Sequence, residues 1–224
     1  MAASGLDPST IFPFPLDDFQ LEAIDALDQG HSVVVSAPTG SGKTLVGEYA
    51  IHRALAHGQK VFYTTPLKAL SNQKLRDFRE AYGDDNVGLM TGDLSVNREA
   101  SIVVMTTEIF RNMLYAEASE QDDPLADVEA VVLDECHYMN DSQRGTVWEE
   151  SIIHCPPSVQ LVALSATVAN AGQLTDWIEK VHGPTTLVLS DHRPVPLQFS
   201  FCSAKGLHPL LNEQGTGLHP NCKI

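Results

Sequence analysis

An α/β fold, with a parallel sheet covered by helices on both faces, is what this sequence predicts from three observations. Short β-branched runs alternate along the chain with segments of helical periodicity, the pattern of a sheet buried on both sides. A glycine-rich loop, Ala37–Thr44, lies between one such strand and one such helix. An apolar run, Ala130–Leu133, breaks abruptly into two carboxylates, Asp134 and Glu135, as strands do where their carboxyl ends open into a ligand site. The 224 residues suffice for one well-buried α/β domain with a tail.

The elements follow in order. Residues 1–10 read as a flexible N-terminus, and a first helix spans Phe19–Leu27. His31–Ser36 is a β-branched strand, and Leu45–Leu55 carries apolar residues at helical spacing. Further strands are expected at Lys60–Thr65, Val87–Met90, Ile102–Met105, Ala130–Leu133, Gln160–Leu164 and Thr186–Leu189. Helices are expected at Lys68–Tyr82, Glu108–Ala118, Thr146–His154 and Ala171–Val181, with a loop at Gln121–Pro124. Asp191–Pro196 reads as a linker, since Pro194 and Pro196 exclude a helix. Residues 204–224 show little periodicity, and Gly-Leu-His-Pro at 206–209 and 217–220 reads as coincidence or loop punctuation. The organisation expected is a domain over 11–190, then a linker and the start of a second domain over 191–224.

Strand, glycine loop and helix form the context of a phosphate-binding loop. Thr39, Gly40, Ser41 and Gly42 would bring backbone N–H groups to phosphates, which also meet the positive end of a helix. Lys43 would reach the β- and γ-phosphates, and the Thr44 hydroxyl would ligate Mg²⁺. The general pattern opens with Gly, where this chain has Ala37. Asp134 suits the same Mg²⁺, and Glu135 suits orienting or deprotonating an attacking water.

Net charge is −15, which argues against a simple basic nucleic-acid binder. The distribution narrows that exclusion. Lys60, Lys68, Lys74, Arg76 and Arg79 face only Asp77 within Lys60–Arg79, whereas Glu80–Glu150 is predominantly acidic. A nucleic-acid face therefore belongs near the first stretch. Cys136, Cys155, Cys202 and Cys222 show no metal-ligand spacing and read as free thiols, Cys136 as a small buried residue. No apolar run approaches the roughly 20 residues of a membrane span, and Met1–Thr10 lacks the features of a secretory signal. A cytoplasmic protein with no membrane partner is expected.

Further motifs occur in a fixed order: Phe12–Gln20, Thr65–Lys74, Met90–Asp93, Met105–Glu108, Asp134-Glu135-Cys136-His137 and Ser165-Ala166-Thr167. This set resembles the first RecA-like domain of superfamily 2 DExH helicases, and within them the superkiller-type RNA helicases and their cyanobacterial and plastid branch. The resemblance covers roughly residues 11–200 and implies an ATP-dependent RNA helicase acting with RNA-processing complexes. It implies that Gln20 reads the adenine edge and that Phe14 stacks on the ring. Packing Phe14 against the first helix is the alternative, and the two are compatible. His137 would contact the γ-phosphate region or a facing domain, its alternative being a buried, satisfied histidine. Ser165 and Thr167 would couple the ATP site to the nucleic-acid site. Pro66, Leu67, Lys68, Gly92, Asp93, Thr106 and Thr107 would grip a strand backbone, a contact that needs little net positive charge.

The family's site lies between two RecA-like domains, the second supplying arginines worth about 10³–10⁵ in rate in comparable enzymes. Only 57 residues follow Thr167, against about 150 for such a domain. The expectation is therefore the N-terminal, ATP-binding half of a helicase, nearly inactive alone. A non-catalytic ATP- and nucleic-acid-binding module and a DNA helicase or translocase stay open as alternatives.

Overall fold

The computed structural model describes residues 6–116, 124–141, 145–203, 206–212 and 217–219. Contacts divide the chain into two units, Met1–His192 and Arg193–Ile224.

The first unit is built on an eight-stranded sheet. Its strands are β1 (Ser32–Ser36), β2 (Lys60–Thr65), β3 (Val87–Met90), β4 (Ser95–Val96), β5 (Ile102–Thr106), β6 (Val128–Leu133), β7 (Gln160–Ser165) and β8 (Thr185–Leu189). Their order is β4-β3-β5-β2-β6-β7-β1-β8. All neighbours run parallel except β3 and β4. The helices are α1 (Pro8–Ile11), α2 (Asp18–Asp28), α3 (Thr44–His57), α4 (Lys68–Tyr82), α5 (Thr107–Ala116), α6 (Gly145–His154) and α7 (Ala171–Val181).

Alternation along each strand splits the core in two. Val33, Val35, Tyr63, Val132 and Leu164 pack with Ala23, Tyr49 and Phe78, so α2, α3 and α4 cover one face. Val34, Phe62, Val131, Leu133 and Ala163 pack with Phe110, Trp148 and Ile178, so α5, α6 and α7 cover the other. Strands buried on both sides explain the near-continuous apolar runs read in the sequence.

Sequence and structure differ in three places. Pro8–Ile11 forms a short helix where a flexible terminus is expected, because Asp7 Oδ1 accepts from Ser9 N at 2.9 Å and Pro8 opens the turn. The two-residue β4 is too short to carry periodicity. Met1–Gly5, the expected helix end at Glu117 and Ala118, and Gln121–Asp123 of the expected loop lie outside the described residues.

The third difference is the second unit. Ser200–Ser203 (β9) and Gly206–Pro209 (β10) pair antiparallel, and Leu211 bridges Leu218. Thus the first Gly-Leu-His-Pro is a strand, and the Leu of the second lies in a bridge. Leu207 is 72% exposed and Phe201 44%. Main-chain pairing with no buried face leaves no alternation for sequence reasoning to detect.

Candidate active site

The sheet order sorts the candidate residues along its carboxyl edge. The glycine-rich loop follows β1 and Asp134-Glu135 follow β6, with Ser165 ending β7 between them. Pro66–Lys68, Gly92-Asp93 and Thr106-Thr107 lie at the ends of β2, β3 and β5, which are contiguous on the other half of the same edge.

Thr39, Gly40, Gly42, Lys43, Thr44, Asp134 and Glu135 line one cleft of about 460 Å³, together with Leu70, Gln73 and Lys74 of α4. Gly40 and Gly42 have φ of +83° and +85°, values that only glycine adopts freely. The Ala37 side chain is fully buried in the core, so a methyl fits where the general pattern has Gly. Lys43 is only 6% exposed, and among the described residues its ammonium has no hydrogen-bond or ion-pair partner. The buried Ser41 Oγ also lacks one there. The Ser41 hydroxyl is a buried donor that is costly to leave unsatisfied, whereas Lys43 lines the cleft, where its ammonium can meet an anion.

Gln20 is buried beside the loop. Its Oε1 accepts from Asp17 N at 2.9 Å and its Nε2 donates to Gly42 O at 3.0 Å. The amide therefore ties α2 to the phosphate loop, and keeps one donor and one acceptor position spare. Phe14 is 53% exposed and sits 6.0 Å from Phe12. Phe12, buried and edge-on to His52, is the more deeply packed of the two rings.

Asp134 is held at both oxygens. Oδ2 accepts from the Tyr63 hydroxyl and Oδ1 from Glu135 N, each at 2.9 Å. Burial, and then the Asp134 charge, push the Tyr63 phenol well above its ordinary range, so it stays a neutral donor. Glu135 has φ +53°, ψ +41°, a left-handed backbone uncommon outside glycine and typical of functional sites. His137 Nδ1 lies 3.2 Å from Glu135 Oε2 and 3.3 Å from Ala166 N. A proton on that nitrogen engages Glu135; its absence lets the ring accept from Ala166 N–H. His137 is half-buried and outside the cleft lining. Ser165 Oγ donates to Ala166 O at 2.8 Å, and Thr167 is exposed. Cys136 is fully buried, which pushes its thiol up to about 12.

On the neighbouring half of the edge, Lys68 pairs with Asp93. That bond, and then one from Thr91, hold the Asp93 carboxyl below its ordinary range. Leu67 and Gly92 are exposed, whereas Pro66 is buried. Thr106 and Thr107 are buried, and Thr107 Oγ1 donates to Thr65 O at 3.2 Å. The Thr107 hydroxyl thus serves the fold in this structure.

The chain matches the DEAD/DEAH box helicase model over residues 17–174. It belongs to that family. The helicase domain is 56% identical over 212 residues to the chloroplastic DExH-box ATP-dependent RNA helicase DExH15 of Arabidopsis thaliana, covering 94% of this chain and 18% of the relative. It is 47% identical over 216 residues to the antiviral helicase SKI2 of Saccharomyces cerevisiae, covering 96% of this chain and 16% of the relative. The structure of Mycobacterium smegmatis helicase Lhr bound to ssDNA and AMP-PNP superposes with a TM-score of 0.64 at 28% identity, covering 85% of this chain and 27% of that one. The chain therefore spans about a sixth of the length of these curated relatives.

Four residues of the helicase domain's cleft region escaped sequence reasoning. Leu70, Gln73 and Lys74 follow i, i+3, i+4 spacing, so one face of α4 could have been read toward the cleft. Tyr63 carried no signal, because only the β2–β6 register brings it to Asp134. Among the described residues no helix is long and apolar enough to cross a membrane.

Proposed function

We propose that this chain is the ATP-binding half of an ATP-dependent RNA helicase of the superkiller type. The observation that carries the proposal is the single cleft joining Lys43 and Thr44 to Asp134 and Glu135. The loop N–H groups and Lys43 bind phosphate oxygens, with the N-terminus of α3 adding its partial positive charge. Thr44 and Asp134 would hold Mg²⁺, which when bound neutralises phosphate charge. The donor set fits: both side chains line the cleft, and no group of three or more His, Cys, Asp or Glu among the described residues could hold a metal alone. Such a site suits an ion whose remaining ligands are phosphates and water. Glu135 orients or deprotonates the attacking water, and His137 relays the state of Glu135 toward the Ser165–Thr167 segment. Phe14 and Gln20 contact the adenine, and Ser41 supports the phosphate loop.

The loops after β2, β3 and β5 bind a nucleic-acid backbone, with RNA favoured by the similarity to the RNA helicase DExH15. DNA is the second reading, favoured by the ssDNA bound to Lhr. Full turnover needs arginines from a second RecA-like domain, and RNA-processing complexes are the proposed setting.

Two experiments test this. In a longer protein carrying a second RecA-like domain, Glu135→Gln should keep ATP binding and abolish hydrolysis; an unaffected rate removes Glu135 from its role. Stimulation by matched RNA and DNA oligonucleotides should favour RNA; equal or greater stimulation by DNA selects the second reading.

A further inference from the structure

We propose that Tyr63 is a positioning residue for the Asp134 carboxylate, fixing its orientation toward the cleft through the phenolic hydroxyl. This rests on the reading of Asp134 as a Mg²⁺ ligand. A carboxylate's terminal torsion is soft and broadly distributed. Two hydrogen bonds, one to each oxygen, remove that freedom: Tyr63 Oη to Oδ2 and Glu135 N to Oδ1, both at 2.9 Å. Each oxygen keeps a lone pair for a cation. A neutral hydroxyl orients the carboxylate without cancelling its charge, as a lysine or arginine there would.

The phenol ring is itself seated by three elements. It lies on β2 with no solvent exposure. The Phe78 ring of α4 meets it edge-on, with centroids 5.0 Å apart at 75°. Lys74 Nζ stands 5.3 Å from its centroid while also lining the cleft. On α3, Gly47 sits inside a helix, where glycine costs stability relative to alanine. A Cβ there would come within 3.2 Å of Tyr63 Cε2. Gly47 therefore leaves room for the ring that carries the hydroxyl to Asp134. The phosphate-loop helix, α4 and the carboxylate strand are joined at this one side chain.

The test is Mg²⁺-dependent binding of a fluorescent ATP analogue to the chain, with Tyr63→Phe and Tyr63→Leu. Affinity in EDTA should be the same in both variants as in the unsubstituted chain. The Mg²⁺ midpoint should rise roughly tenfold in Tyr63→Phe, the lower end of what partners of metal ligands contribute. It should rise equally in Tyr63→Leu, which should also melt lower. An unchanged midpoint in Tyr63→Phe, or a shift confined to Tyr63→Leu, overturns the proposal, because the ring rather than the hydroxyl would matter. If the unsubstituted chain shows no Mg²⁺ dependence, the Mg²⁺ reading of Asp134 fails and this inference falls with it. Intact Mg²⁺ dependence with an indifferent Tyr63→Phe refutes the inference alone.

Discussion

The two edges of the sheet treat buried polar groups in opposite ways. At the amino edge, where β6 and β7 begin, Arg53 is 3% exposed and fully engaged. Its Nε meets Glu129 Oε1 at 2.5 Å, its Nη1 donates to Leu27 O at 2.6 Å and its Nη2 bonds Gln160. Gln160 Nε2 in turn donates to Leu27 O at 3.0 Å and His31 O at 2.7 Å, and His57 meets Glu129 Oε2 at 2.9 Å. At the carboxyl edge Lys43 is almost as buried, yet has no partner among the described residues. The difference separates a polar cluster that pins elements together from a cleft-lining lysine open to a ligand.

That contrast can be broken most forcefully at Arg53. Arg53→Leu leaves the buried Glu129 carboxylate with His57 alone, so urea unfolding should show a loss of about 3 kcal/mol, the lower end for a broken buried pair, with nucleotide affinity unchanged within about twofold. A comparable loss of nucleotide affinity would show that the edges are not separable. Lys43→Ala should do the reverse. It should cost about 2–3 kcal/mol of Mg·ATP binding, roughly a hundredfold in Kd by calorimetry, with no loss of stability.

Gln20 sharpens the comparison, being a group at the carboxyl edge that the protein itself, as with Asp134, engages on both sides. Gln20→Ala should lose about 1 kcal/mol of stability through the cap and the bond to Gly42. It should also weaken nucleotide binding several-fold, so one substitution should move both denaturation and binding.

The smallest effect expected is a pH response. At the amino edge His182 is buried, its Nε2 2.9 Å from Val159 O and its Nδ1 3.3 Å from Cys155 O. Burial lowers its pKa from 6.5, and burial lowers that of His52 likewise. The unfolded chain then takes these protons more readily than the folded one. Stability from neutral His182 is present above about pH 6.5 and is lost as pH falls toward the lowered folded value. Urea midpoints should decline as pH falls below about 6.5, and His182→Gln should flatten the decline.

Much of this architecture was legible in the sequence because it is repetitive. Val33–Val35 and Val131–Leu133 announce doubly buried strands, and Gly40, Gly42 and Lys43 between strand and helix announce a phosphate loop. Asp134 and Glu135 stand out for their abrupt polarity. Contacts between separate elements stayed hidden: the reach of Tyr63 to Asp134 and the double engagement of Gln20. The β9–β10 hairpin escaped because its apolar residues face solvent and obey no period. The pairing of Lys68 with Asp93 joins the start of α4 to the segment after β3, a contact that sequence spacing does not show.

The central claim is that the unsaturated groups of the carboxyl edge are reserved for a nucleotide. Thermal melting with and without saturating Mg·ATP tests it most directly, because a ligand of the folded state raises the melting temperature by mass action. Similar rises are predicted in the unsubstituted chain and in Arg53→Leu, despite the latter's lower starting point, and a much smaller rise in Lys43→Ala. A full rise in Lys43→Ala, or none in the unsubstituted chain, would contradict it.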